Sequence, residues 1–389
     1  VTSDRKVLRV AQLVERLDAG GAEALAVDIA GALAGRGHAS HLVVASEAGP
    51  FRARVAQDVV FHTIDRPRRD GGQAYRILYF AEACRRLESW LRSQRIEVLQ
   101  THLPKANFLG LVMAWRGVCR VYPTVHNNRE FDYGDNAGAM KRRLRRAGYR
   151  QMLRRCSGVI AVSEQVKSSL EAELGLSPGT GETIRVVRNG VRVPAPVTAA
   201  GRAEARAHWG IAEGESLVVG VGRLTSQKNF AALVQALGRL ERGRADWRCI
   251  IAGDGELLAE LERLVAEAGL QDRIRLPGLV GDVPGLLAAA DIFCLPSSYE
   301  GLPLVLLEAM GHGLPVVAFA IDGVTDVVTD GLQARLAEPG DVDGLAAALG
   351  TLLGDAPARG AIGAAARDLV LARYDFENVI SNLETVYRS

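Results

Sequence analysis

The strongest constraint in this sequence is the alternation of short apolar runs with longer helical ones. Val7 to Val14, His41–Ala45, Val98–Thr101, Cys119–Val125 and Gly158–Val162 read as strands. Helical stretches separate them, the first opening near Ala22 with apolar residues at Leu25, Ile29 and Leu33. The rhythm resumes with strands at Leu217–Gly222, Arg248–Ala252, Arg273–Leu276, Ile292–Leu295 and Val316–Ala318. Between these lie helical Asn229–Leu240, Glu256–Ala268 and Leu304–Met310. Strands alternating with helices imply βαβ units and parallel sheets. Pro194 and Pro196, beside Thr198–Gly201, interrupt the pattern and read as a linker. The expected architecture is α/β, with two doubly wound, Rossmann-like domains facing a central cleft. Ligands of such sheets sit beyond the carboxyl ends of the strands.

Size agrees: 389 residues suffice for two domains, or three, at roughly 100–200 residues each. The net charge of +2 conceals a division. Residues 1–190 carry 30 Lys+Arg against 19 Asp+Glu, whereas residues 191–389 carry 17 against 26. A basic half joined to an acidic half suggests an anionic partner for the first. The longest apolar runs fall far short of a membrane span, and Val1 to Leu8 has no signal-peptide layout. The five cysteines are isolated, which fits a reducing compartment and leaves no metal-binding or redox pair. A cytoplasmic location is the expectation.

Two segments of the second half can carry chemistry. Gly222-Arg223-Leu224-Thr225-Ser226-Gln227-Lys228-Asn229 joins a strand to a helix. Arg223 and Lys228 could converge on one anion, such as a diphosphate, or be two unrelated cations of a solvated loop. In the second segment, Pro303 suits the first turn of a helix, and Leu304 and Val305 offer backbone donors to phosphate. Glu300 precedes that helix and Glu308 lies two turns into it. The pair can accept from sugar and ribose hydroxyls, or serve as a cap and a buried structural acid. Gly220-Val221-Gly222 lacks the third glycine of a dinucleotide loop. Asp341-Val342-Asp343 reads as a helix cap rather than a metal motif.

In the first half, Asp18-Ala19-Gly20-Gly21 links strand to helix, either as a plain turn or to let backbone approach a ligand. His126, followed by Asn127-Asn128, ends a strand and so faces the expected ligand crevice, or is an ordinary hydrogen-bonded side chain. His38 and His41 have no accompanying metal ligand.

These stretches together resemble family 4 of the retaining glycosyltransferases, which have the GT-B fold. The similarity is distributed over nearly the whole chain. It is carried by Gly20-Gly21-Ala22-Glu23, Thr124-Val125-His126-Asn127, Asn189-Gly190-Val191, Gly222 to Lys228, Gly253-Asp254-Gly255, Glu300 to Glu308 and Gly313 to Ala318. The resemblance implies that Arg223 and Lys228 hold the donor diphosphate and stabilise the leaving phosphate. It gives Glu308 the ribose hydroxyls, Glu300 and His126 the donor sugar, and Leu304 and Val305 the phosphate. Gly20 and Gly21 would let backbone approach phosphates and acceptor, and Gly278 and Leu279 would line the base. No metal or other cofactor is implied. Anomeric configuration is retained without a secure protein nucleophile. The family pattern also implies domains at 1–192 and 193–372, with 373–389 crossing back to the first. Asp322-Gly323-Val324-Thr325-Asp326 and Ala334 depart from the pattern near the sugar pocket.

Residues 141–155 hold eight cations and no acid. Met140, Leu144, Ala147 and Met152 lie at roughly helical spacing, so the segment reads as amphipathic. An anionic membrane surface is one expected partner of Arg142, Arg143, Arg145 and Arg146; an anionic acceptor or plain solvation are the others. Nucleic acid is not expected, because no recognised binding module accompanies the charge. The expected activity is transfer from a nucleotide-diphosphate sugar, UDP-sugar favoured, to a glycan, lipid-linked or small hydroxyl acceptor. An epimerase or phosphorylase of the same fold, or a non-catalytic nucleotide-sugar-binding protein, are the alternatives.

Overall fold

The computed structural model describes residues 6–17, 20–46, 49–64, 73–127, 130–132, 139–177, 183–240 and 246–389. Asp18, Ala19 and Asn128 lie outside this set. The chain forms two compact units. Unit 1 comprises Val1–Arg188 and Ile380–Ser389, and unit 2 comprises Asn189–Val379.

Unit 1 runs β1 (Arg9–Val14), α1 (Gly21–Gly35), β2 (Ala39–Val44), β3 (Val60–Thr63), α2 (Gln73–Ser93), β4 (Val98–His102), α3 (Pro104–Trp115), β5 (Arg120–Val125), α4 (Ala139–Arg155), β6 (Val159–Ala161), α5 (Glu164–Leu174) and β7 (Ile184–Val186). The strands form one parallel sheet in the order β3-β2-β1-β4-β5-β6-β7. The winding runs outward from β1 to β3, then jumps back so that β4 lies on the other side of β1. Register fixes the centre, with Val10 opposite Val98 and Leu13 opposite Thr101. Sheets covered on both faces need near-continuous apolar strands, and Val10, Ala11, Leu13, Val14, Val98 and Leu99 are fully buried. Gln12, Gln100, Thr101 and His102 break that rule on the same two central strands and are just as buried.

Unit 2 runs α6 (Ala199–His208), β8 (Ser216–Val221), α7 (Phe230–Arg239), β9 (Trp247–Ala252), α8 (Leu258–Glu267), β10 (Ile274–Arg275), α9 (Val283–Ala289), β11 (Ile292–Leu295), α10 (Leu304–Gly311), β12 (Val316–Phe319), α11 (Asp322–Thr325), β13 (Ala334–Ala337), α12 (Val342–Gly354) and α13 (Ala356–Arg373). Its parallel sheet has the order β10-β9-β8-β11-β12-β13, with the same single reversal, here between β8 and β11. Asp341 caps α12 by accepting from the Gly344 N–H at 2.9 Å, as a helix cap should.

Helix α14 (Phe376–Arg388) starts in unit 2, and its residues from Ile380 onward belong to unit 1. There Ile380, Leu383 and Tyr387 are buried. Glu384 accepts from Arg36 at 3.0 Å and from His38 at 2.7 Å, which explains His38 without a metal. The Tyr122 hydroxyl donates to the Val386 carbonyl at 3.0 Å.

The structure departs from the expected boundaries in three places. The units divide at 188/189, before Asn189-Gly190-Val191, because that signature packs into unit 2. Asn189 donates to the Leu302 carbonyl and Val191 N–H to the Tyr374 carbonyl, and a Cβ on Gly190 would lie 2.6 Å from Val379. The proline stretch is part of unit 2 rather than a free linker: Arg367 donates to the Pro194 carbonyl, and Thr198 caps α6. Finally, β3, β7 and β13 had no counterpart in the sequence reading. All three are sheet edges of three or four residues, too short and too half-covered for a periodic signal.

In unit 2, Phe230 is buried against Gly220, where an added Cβ would lie 2.7 Å from its ring. Phe230→Ala should lower the stability of unit 2 by about 3–5 kcal/mol, read as a lower urea midpoint at unchanged slope. A shift under about 1 kcal/mol would mean that the site collapses around the missing ring.

Candidate functional site

The loop after β8 and the loop after β11 sit side by side at the carboxyl ends of adjacent strands, at the reversal of unit 2. This is where a doubly wound sheet opens a ligand crevice. Lys228 and Glu300 meet there: Nζ donates to Oε1 at 2.6 Å, with side chains only 15% and 8% exposed. Ser297 donates to the same oxygen at 2.8 Å, and Gln227 Nε2 donates to the Tyr299 carbonyl at 3.1 Å. The Ser298 N–H closes onto the Gln227 carbonyl at 2.8 Å. Glu300 is therefore an anchored acceptor and not a helix cap. A buried ion pair is retained only where hydrogen bonds surround it, and here they do.

The first loop is shaped by backbone contact. Gly222 N–H donates to the Ala252 carbonyl and Leu224 N–H to that of Asp254. A Cβ at Gly253 would lie 1.8 Å from the Gly222 oxygen, so glycine is required for this approach. Asn229 turns the chain into α7 with φ of 50°, a conformation that asparagine tolerates. Arg223 is exposed on this loop; Gly278 and exposed Leu279 follow β10, and the Gly278 carbonyl accepts from Gly253 N–H. The buried Thr225 hydroxyl oxygen has no hydrogen-bond partner among the described residues.

Helix α10 starts at Leu304, with Pro303 as its cap residue rather than within the first turn. The Leu306 N–H returns to the Pro303 carbonyl. The amides of Leu304 and Val305 precede any helical acceptor and point along the positive end of the helix dipole. Glu308 is half-buried one turn further along. Behind Glu300, Gly323 of α11 lets two backbones touch, since its Cβ would lie 2.6 Å from the Glu300 carbonyl oxygen. Gly323, within the segment 322–326 that departs from the family pattern, thus still packs against Glu300.

Unit 1 holds a second cluster at its own reversal, between β1 and β4. Gly20 caps α1 and Gly21 opens it, with the Ala24 N–H returning to the Gly20 carbonyl. His126, just past β5, contacts His102, at the end of β4: His126 Nε2 lies 3.1 Å from His102 Nδ1. His102 Nε2 is 2.8 Å from Gln12 Oε1 on β1. Burial holds both imidazoles neutral, His126 falling to about 4 and His102 falling well below the ordinary range. Leu103, next to His102, has φ of 72° and ψ of 156°, a region that essentially only glycine adopts without strain. Sequence reading identified His126 but missed Gln12, Gln100 and His102. Their signal was polarity inside strands that should have been apolar throughout.

Beside this cluster, Tyr149 of α4 donates to buried Glu130 and accepts from Asn107 Nδ2 at 3.1 Å. The basic helix α4 does not present one apolar face. Met152 is buried with Tyr149, whereas Met140 and Leu144 are 67% and 62% exposed. The four arginines also divide. Arg146 pairs with Glu173, and Arg145 donates to the Phe131 carbonyl at 3.0 Å; Arg142 and Arg143 are exposed beside Met140 and Leu144. Among the described residues no helix is long and apolar enough to cross a membrane.

Two family models match the chain: "Glycosyltransferase Family 4" over residues 19–193 and "Glycosyl transferases group 1" over residues 201–369. The alpha-D-kanosaminyltransferase of Streptomyces kanamyceticus is 32% identical over 49% of this chain and 50% of its own length. The chain spans about half the length of curated relatives such as this one. An Escherichia coli UDP-Gal:alpha-D-GlcNAc-diphosphoundecaprenol alpha-1,3-galactosyltransferase is 29% identical over 67% of each chain. Among solved structures, Anabaena HepE in complex with UDP and glucose has a TM-score of 0.83 at 21% identity, covering 98% of this chain and all of that one. That likeness shows the fold, two Rossmann-like domains of the GT-B type.

Burial pushes Glu130 up to about 7, against the opposing pull of Tyr149 and Arg145. The folded protein then keeps a proton that the unfolded chain releases near its ordinary 4.5. Its contribution to stability is full at lower pH and is lost as pH rises from about 4.5 to about 7. Urea midpoints of wild type and Glu130→Gln should therefore diverge across that window, with the variant losing less. Parallel pH profiles would refute the assignment.

Proposed function

The chain belongs to the group 1, family 4 glycosyltransferases, and from that membership we propose that it moves a sugar from a nucleotide-diphosphate donor to a hydroxyl acceptor. A UDP-sugar is favoured, since HepE was crystallised with UDP and with glucose. Assembly of cell-envelope glycan or glycolipid is the favoured context, supported by the diphosphoundecaprenol-directed relative. Retention of configuration follows the family resemblance.

The observation that carries this reading is the Lys228–Glu300 cluster at the sheet reversal, beside the amino end of α10. Lys228 has three N–H donors and spends one on Glu300. With Arg223 and the amides of Leu304 and Val305 it can bind a diphosphate and stabilise the charge that develops on the leaving phosphate. Glu308 accepts from ribose hydroxyls, Glu300 from sugar hydroxyls, and Gly278 and Leu279 flank the base. His126 contacts the sugar hydroxyls, with Gly20 and Gly21 allowing backbone approach. In this scheme local cations and a helix end do the work of a metal, so no metal or other cofactor is required.

Met140, Leu144, Arg142 and Arg143 form the part of α4 that we assign to an anionic membrane surface, as a peripheral contact on the cytoplasmic side. Apolar residues flanked by exposed cations are what such a surface binds.

Lys228→Ala should lower donor turnover at least about 100-fold, measured as nucleotide release from UDP-, GDP- and ADP-sugars after a thermal-shift screen selects the donor. Undiminished turnover would remove Lys228 from the mechanism. Wild-type turnover should survive a chelator, and complete loss would contradict metal independence. Neutralising Arg142 and Arg143 should weaken co-sedimentation with anionic vesicles about tenfold or more, at roughly 1 kcal/mol per cation. Equal binding would end the membrane assignment.

A further inference from the structure

The buried polar groups of unit 1 form one directed chain of hydrogen bonds that ends on His126. Gln100 Nε2 donates to Thr124 Oγ1 at 2.9 Å. Its carbonyl oxygen accepts from the Tyr387 hydroxyl. That hydroxyl has then used its only proton, so it accepts from Gln12 Nε2 at 3.2 Å. This places Gln12 Oε1 toward His102, where an oxygen can only accept, so His102 Nε2 carries a proton. A neutral imidazole has one N–H, so His102 Nδ1 is an acceptor. The proton in the 3.1 Å contact between the two histidines therefore sits on His126 Nε2, and His126 Nδ1 is unprotonated. Every step up to His102 is buried, where a mismatched donor or acceptor would cost the full desolvation of that group.

We infer that Tyr387, Gln12 and His102 are positioning residues that lock His126 in its Nε2–H tautomer and present Nδ1 as a hydrogen-bond acceptor to a substrate N–H or O–H. The chain spans three layers of sequence, from β1, from the ends of β4 and β5, and from α14 near Ser389. Among the described residues His102 is the hydrogen-bond partner of half-buried His126 through Nε2, which leaves Nδ1 as the ring nitrogen able to accept from a ligand. The inference rests on the proposed contact between His126 and a sugar hydroxyl. It makes that contact directional: the hydroxyl must donate.

The test uses the full-length protein labelled with 15N-histidine. Two-bond 1H–15N correlations, assigned by subtracting the His126→Ala spectrum, should show His126 neutral at pH 7 with Nε2 protonated and Nδ1 bare. A protonated Nδ1 in the wild type would overturn the inference without any variant. Gln12→Glu should hold a second proton on His102 and drive His126 toward the Nδ1–H form, with kcat falling about tenfold, the worth of one lost hydrogen bond. Tyr387→Phe, which buries no charge, frees the Gln12 amide to flip and should give a mixture of tautomers with a smaller fall. Folded variants with unchanged tautomer, or with changed tautomer and unchanged kcat, would refute the positioning role. A correct tautomer with full turnover in His126→Ala would instead show that the substrate contact itself was misplaced.

Discussion

Parallel strands cannot be joined by tight turns, and this constraint governs everything else in the protein. Most strands return through a crossover helix, so the helices cover the sheet faces and the loops at the strand ends are left to form sites. A chain that winds one way around a sheet and then reverses must leave two neighbouring loops diverging at one point. Both units reverse once, next to their first strand. The two polar clusters occupy those points: Lys228 and Glu300 beyond β8 and β11, and His102 at the end of β4 beside β1. Position in the winding, rather than any special loop composition, makes these residues neighbours.

The two clusters manage burial differently. In unit 2 opposite charges face each other, and the cost of removing them from water is offset by Ser297 and Gln227, which donate to Glu300 at 2.8 and 3.4 Å. In unit 1 the groups are neutral, and the cost is offset by matching each donor to an acceptor in a fixed sense. A charged cluster is suited to meeting an anion. A neutral, directed one is suited to telling a donor from an acceptor.

Central strands and long helices were legible because apolar side chains there obey one period over many residues. Ile292–Leu295 was placed to the residue, and β8, β9 and β12 within one or two. Three of the four edge strands were not, since half-covered segments such as Val60–Thr63 carry mixed polarity, while the fourth, β10, was read within Arg273–Leu276. Lys228 and Glu300 were each legible as part of a family pattern, but their mutual contact was not, because they lie 72 positions apart along the chain. Gln12, Gln100 and Tyr387 were invisible for another reason: their partners lie 24 to 375 positions away along the chain, and no local window joins them. The arginines of α4 show the same limit, because the run of like charge concealed that Arg146 has an acid on the neighbouring helix.

Helix α14 gives unit 1 an unusual history. Its last turns bring Leu383 and Tyr387 into a core whose other residues precede Arg188. The core of unit 1 is therefore complete only once all of unit 2 has been synthesised. Until then Gln12, Gln100 and the Tyr122 hydroxyl lack the partners that α14 supplies. The amino-terminal half is first to be made and last to be finished.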